Sequence, residues 1–284
     1  MNQNAIKRSI IATEKIRQIT KAMQLVSANH LSRTVALARN TKPYLTAVDA
    51  MVHSYLSRNK NQHKYITEAP VVDQLIVVFS TDRGLCGALN LNTLKTAVDI
   101  IERNKKNSIN THIITFGDKA LNFFIRKKIK IVDSISKLGI HPHLQNIIGI
   151  LQNVVDGYNN NLWQEVLLIY PKHINTMTQL VTVEQLLPIV PSDINNDINN
   201  IDYLYEPNIH IVISLLLDYY LESHLYQATL ELLASEQSAR MVAMQNATNN
   251  AETSKHNLER IYHKARQAAI TQEIAEIANG AEAL

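Results

Sequence analysis

The placement of proline and glycine constrains this chain more than any other feature. All seven prolines lie between Pro43 and Pro207, and six of the seven glycines lie between Gly84 and Gly157. Proline removes a donor from the helical ladder and glycine weakens it. A chain with this punctuation only in its middle is expected to form two long helical ends around a globular centre. Seven of each residue in 284 is also well below ordinary usage of about 7% Gly and 5% Pro. The elements should therefore be long and uninterrupted.

Periodicity supports helical ends. Steps of four and three in the tail run Tyr226, Leu230, Leu233, Gln237, Arg240, Met244, Ala247, Ala251, Ser254, Leu258, Ile261, Ala265, Ala268, Gln272 and Ala275. Most are apolar or small, with the spacing of a coiled-coil seam. A helix over about 208–279 would reach about 100 Å. At the other end Ile6, Ile10, Ile16, Ile19, Met23, Val26 and His30 form a matching stripe, and Pro43 is the first possible break. The two stripes are expected to pair antiparallel. The plainer alternative is that both ends are helices of one large bundle.

The centre alternates in type. Strands are expected at 75–80, 110–116, 128–132, 165–170 and 179–186, the last two as a hairpin. Helices are expected at 91–105, 119–127 and 143–155, the last ended by Gly157-Tyr158-Asn159. Strand–helix alternation implies a mostly parallel sheet with helices packed on it. The low-complexity stretch from Ser192 to Asn200 reads as a surface loop.

Several function classes drop out. A net charge of +3 is too small for a nucleic-acid surface, which needs a dense basic face. One cysteine permits no internal disulfide and points to a reducing compartment. No run of about 20 apolar residues suggests a membrane span. The segment Thr81-Asp82-Arg83-Gly84-Leu85-Cys86-Gly87-Ala88-Leu89-Asn90 sits where phosphate loops sit, but lacks their glycine spacing. Cys86 reads as a small packed thiol. His141-Pro142-His143 has no metal-binding frame, and Asp193, Asp197 and Asp202 lack an EF-hand pattern. The centre thus offers a fold without a catalytic constellation. Arg240, Arg266 and Gln267 lie on or beside the tail stripe. They read equally as contacts to a partner carboxylate or as solvated helix polarity.

Four passages together resemble the gamma subunit of bacterial F-type ATP synthases. They are Gln18 to Val26 (Gln-Ile-Thr-Lys-Ala-Met-Gln-Leu-Val), the Thr81 to Asn90 loop, the tail from Ser235 to Glu276, and Tyr203-Leu204-Tyr205-Glu206-Pro207. The resemblance implies a long antiparallel coiled coil of N- and C-terminal helices with an inserted Rossmann-like α/β domain. Its parts would be an N-terminal coiled-coil helix (1–58), an α/β foot (70–190), an Asn-rich linker (191–207) and a C-terminal coiled-coil helix (208–284). It implies a non-catalytic rotor shaft that couples proton-driven turning of the c-subunit ring to ATP synthesis. The implied partners are the alpha, beta and epsilon subunits and the c ring. No cofactor, metal or nucleic acid is implied, and the membrane is met only indirectly, at the cytoplasmic face of the bacterial inner membrane. By the same resemblance Arg266, Gln267, Lys21, Met23, Arg240, Thr271, Glu273 and Arg83 contact the beta subunit. Tyr205 and Glu206 belong to the foot surface near the c ring and epsilon. A coiled-coil tether of another assembly remains the alternative, and a nucleotide-dependent enzyme using the Thr81–Asn90 loop is a third reading.

Overall fold

The computed structural model describes residues 3–58, 63–67, 69–137, 139, 142, 144–190, 205–206 and 208–282. His141, His143, the Asn-rich stretch and Asp193, Asp197 and Asp202 lie outside these residues. The element order is α1 (Gln3–Arg58), β1 (Asp73–Phe79), α2 (Leu89–Lys106), β2 (Asn110–Phe116), α3 (Asp118–Arg126), β3 (Ile131–Ile135), α4 (Leu144–Asn159), β4 (Glu165–His173), β5 (Gln179–Leu187) and α5 (Ile209–Glu282). Packing divides the chain into residues 1–27 with 240–284, and residues 28–239. Both long helices contribute to both units.

The larger unit is built on a five-stranded sheet ordered β3-β2-β1-β4-β5. The first four strands are parallel and β5 returns antiparallel beside β4. Strand β1 is buried along almost its whole length, as a central parallel strand should be. Helices α2 and α3 cover one face through Leu94, Ala97, Ile100, Ala120 and Phe124. The other face receives α4, the end of α1 through Val52 and Leu56, and the start of α5 through Leu217 and Leu221.

Two local expectations need correction, and one open point is decided. Helix α1 does not break at Pro43, the first possible break, but runs through it to Arg58, the end expected for the N-terminal helix. Val48, Val52, Tyr55 and Leu56, all beyond the proline, are buried. Burying four such side chains contributes several kcal/mol, which exceeds the roughly 3 kcal/mol that an interior proline costs. Strand β3 begins at Ile131 rather than Lys128, because Lys128 has φ 57° and turns the chain out of α3. Helix α4 continues past Gly157 to Asn159. A Cβ at Gly157 would lie 1.9 Å from the Trp163 ring, so glycine here gives the indole room rather than ending the helix. The left-handed residue that closes the helix is Asn161, at φ 58°.

The seam of the smaller unit also differs. Ile16, Ile19 and Val26, expected inside, are 53, 59 and 55% exposed. The inward heptad is instead Ile6, Thr13, Thr20 and Ser27, buried or half-buried at every seventh residue. On α5 the buried or half-buried line is Met244, Thr248, Ala251, Lys255, Leu258, Tyr262, Ala265 and Ala269. It shares Met244, Ala251, Leu258 and Ala265 with the expected stripe. It takes the other alternate positions, leaving Ser254, Ile261 and Ala268 outward. The pairing is antiparallel as expected: Thr20 meets Thr248 and Glu14 meets Lys255.

Candidate functional site

In the smaller unit two polar contacts hold the helices. The Thr248 hydroxyl donates to Thr20 Oγ1 at 2.8 Å, and Thr20 donates to the Arg17 carbonyl at 3.0 Å. Glu14 accepts from Arg17 at 2.8 and 3.1 Å and lies 3.2 Å from Lys255 Nζ. Those two cations hold its carboxyl down to about 2.

The residues marked for partner contact fall at two levels here. Lys21 is exposed beside the Thr20–Thr248 contact, with its ammonium donating to Gln24 at 3.1 Å, and Met23 is half-buried nearby in sequence. Arg266 and Gln267 are exposed on α5, about 27 Å of helix beyond Thr248. Thr271 and Glu273 are exposed about one and two turns further, with the Thr271 hydroxyl donating to the Gln267 carbonyl at 2.9 Å. Arg240 is the exception, being buried on α5. The structure therefore presents an extended surface rather than one cluster.

One part of this surface escaped the sequence reading. The register set by Thr20–Thr248 and Glu14–Lys255 puts Gln3 about level with Arg266. Beyond that level α5 carries Ile270, Ile274 and Ile277, all exposed. Their i, i+4, i+7 spacing makes one apolar stripe, off the seam. Burial assigned by periodicity alone could not distinguish such a face from an internal one.

In the larger unit the loop after β1 is filled by its own side chains. Asn90 accepts from the Thr81 amide at 3.0 Å and donates to the Thr81 hydroxyl at 2.8 Å. The Thr81 hydroxyl donates to the Arg83 carbonyl at 2.6 Å, leaving the Arg83 side chain exposed. Ser80 Oγ donates to the Phe116 carbonyl at 2.9 Å and accepts from the Ala120 amide at 2.8 Å. Gly117 packs so close that a Cβ would sit 2.1 Å from the Ser80 carbonyl oxygen. Cys86 is buried against Leu89 and Ala239, a packed thiol as expected. Ligands of open α/β sheets bind where the strand order reverses. Here α5 lies across that place, with Ala239 on Cys86 and the Ser235 hydroxyl donating to the Pro171 carbonyl at 2.8 Å.

A polar clamp ties α5 to the sheet. His224 lies 2.9 Å from Asp49 of α1 and 2.5 Å from Glu184 of β5. The Tyr170 phenol donates to the other Glu184 oxygen at 2.5 Å. Burial opposes a charge on His224, but the hydrogen bonds it donates to Asp49 and Glu184 overcome that and raise the imidazole to about 9. Glu184 is likewise opposed by burial yet held below its ordinary range by His224. Burial pushes the Tyr170 phenol far up. Tyr205 packs against the same core while Glu206 is exposed.

What this architecture defines is a chain of two long terminal helices with a doubly wound α/β domain inserted between them. A family profile described as ATP synthase matches residues 2–284. The ATP synthase gamma chain of Glaesserella parasuis is 38% identical over 98% of both chains, and that of Xanthomonas campestris is 36% identical with the same coverage. The fold matches a chain of the Euglena gracilis mitochondrial ATP synthase rotor, with a TM-score of 0.70 at 20% identity over 94% of this chain and 98% of the other. The chain belongs to the ATP synthase gamma chain family.

Proposed function

We propose that this chain is the central rotor shaft of a bacterial F-type ATP synthase. It couples proton-driven rotation of the c ring to conformational change in the catalytic beta subunits, and performs no bond chemistry itself. Residues 1–58 and 208–284 are the shaft, 70–190 the foot and 191–207 a linker. The alpha and beta subunits surround the shaft, and epsilon and the c ring meet the foot at Tyr205 and Glu206. The protein is peripheral, at the cytoplasmic face of the inner membrane. Among the described residues no helix is long and apolar enough to cross a membrane.

The observation that carries this reading is the exposed isoleucine stripe of α5, Ile270, Ile274 and Ile277, beside the exposed Arg266, Gln267, Thr271 and Glu273. An apolar stripe on an outward helix face marks a contact surface for another protein. Arg266 supplies a fork suited to a carboxylate. Lys21, Met23 and Arg83 add exposed or half-exposed contacts, and Arg240 acts from within the packing.

Exchange of Arg266 and Gln267 together for Ala in the assembled complex is the test. Coupled ATP synthesis and hydrolysis should fall while assembly and helix content stay unchanged. An assembled complex with normal rates would sink the contact role. Failure of the tagged chain to bring down alpha and beta subunits would sink the rotor reading as a whole.

A further inference from the structure

Helices α2 and α3 cover the same face of the sheet, and each leads into a parallel strand. Their C-termini therefore lie at one edge. The end of α2 carries Arg103, Lys105 and Lys106, all exposed. The end of α3 and the turn after it carry Arg126, Lys127, Lys128 and Lys130, also all exposed. Between Asp99 and Lys130 eight basic residues face three acidic ones, a surplus of five against +3 for the whole chain. Outside this segment the protein is slightly acidic. Asp118 begins α3 and so lies at the opposite edge, Asp99 stands two turns up α2, and Glu102, one turn before Lys106, is the one carboxylate of α2 beside the cluster. Among the described residues no ion pair involves any of the seven cations.

The two turns share one geometry. The Ile109 amide donates to the Asn104 carbonyl and the Ile129 amide to the Phe124 carbonyl. Ser108 and Lys128 occupy the left-handed position, at φ 58° and 57°, where glycine is at ease and a side chain is strained. Helix dipoles explain cations in the last turn, but not a lysine held in this strained place nor Lys130 beyond it. Ile125, 57% exposed, stands among them.

We propose that this edge is a docking surface for anionic phospholipid headgroups. Clusters of four to eight basic residues bind acidic lipid surfaces through diffuse charge. Five of the seven cations are lysines, which act as mobile point charges rather than bidentate forks. The exposed isoleucine among them suits the apolar boundary beneath headgroups. The surface extends the rotor reading but does not depend on it.

The test uses the full-length chain with vesicles of about 30% phosphatidylglycerol in phosphatidylcholine, compared with phosphatidylcholine alone. The wild-type chain should sediment with the anionic vesicles only, and should be released at about 1 M salt. Replacing Lys105, Lys106, Lys127 and Lys128 with Gln should weaken partition at least about tenfold. Lys128→Gly separates binding from folding. It should raise the melting temperature by relieving strain while lowering vesicle binding. Equal partition of the wild-type and fourfold variants would overturn the proposal, as would salt-insensitive binding or no binding by the wild-type chain. Stronger, lysine-dependent retention on polyglutamate than on vesicles would assign the edge to an acidic protein instead.

Discussion

The same two helices are held in two different ways. In the larger unit α1 and α5 share a broad apolar core with the sheet, and His224 pins them to Asp49 and Glu184. In the smaller unit they meet along a narrow line, mostly threonine and serine on α1 and mixed with Met244, Leu258 and Tyr262 on α5, and leave Ile16 and Ile19 outside. One region turns its apolar surface inward, and the other leaves part of it exposed.

Mutation should expose that asymmetry, most strongly in the larger unit. His224→Ala leaves two half-buried carboxylates without their cation. It should cost about 3 kcal/mol, the low end for a pair taken fully out of water, read as the urea midpoint of the isolated chain. The clamp also sets a pH dependence. His224 is raised from its ordinary 6.5 to about 9, so its contribution is complete below pH 6.5 and is lost as pH climbs through 9. Glu184 is lowered, so its contribution is present above its ordinary value and is lost at acid pH. Urea midpoints should therefore fall on both sides of neutrality. The His224→Ala variant should lose the alkaline slope, and retention of that slope would remove the clamp as its cause.

Gly157→Ala comes next. The added methyl meets Trp163 at 1.9 Å, and overpacking of this kind costs about 1–3 kcal/mol. A drop in melting temperature is expected, and Trp163→Phe in the same chain should recover part of it. Effects shrink in the smaller unit. Thr20→Val removes the bond across the seam but leaves the Thr248 hydroxyl the Met244 carbonyl at 2.8 Å, so it should cost no more than about 1 kcal/mol, and the double change to Val should be close to neutral. Hydrogen exchange of the α1 amides would report both. Glu14→Gln sits last: a partly exposed ion pair contributes less than about 1 kcal/mol, and the melting temperature should barely move. A large loss there would break the contrast between the two units.

How far the sequence could be read follows the same division. The proline and glycine distribution located the helical ends, and alternation located the sheet, because both signals are local. Strand β2 could be placed from its sequence because Gly117 stops it. β3 was misplaced because Lys128-Ile129-Lys130 looks alternating while its first lysine turns the backbone. The seam was misread for a different reason. Periodicity reports that a face is apolar, not which molecule covers it. Ile16, Ile19 and Val26 mark a face as apolar as any core stripe, whereas the inward Thr13, Thr20 and Ser27 look like surface. The contact roles proposed for Arg266 and Gln267 had no local signature beyond exposure, and rest on resemblance.

The hydroxyl-lined heptad has a mechanical consequence. Helix axes sit about 8–10 Å apart according to the side chains between them, and threonine, serine and alanine favour the short end. The stiffness of two joined rods grows steeply with their separation. A pair drawn close is slimmer and yields more readily to twisting and flexing than one spaced by leucines. The small side chains that α1 brings to this seam face Met244, Leu258 and Tyr262 on α5, so the pair is slimmest about the Thr20–Thr248 contact and should flex there before it flexes elsewhere.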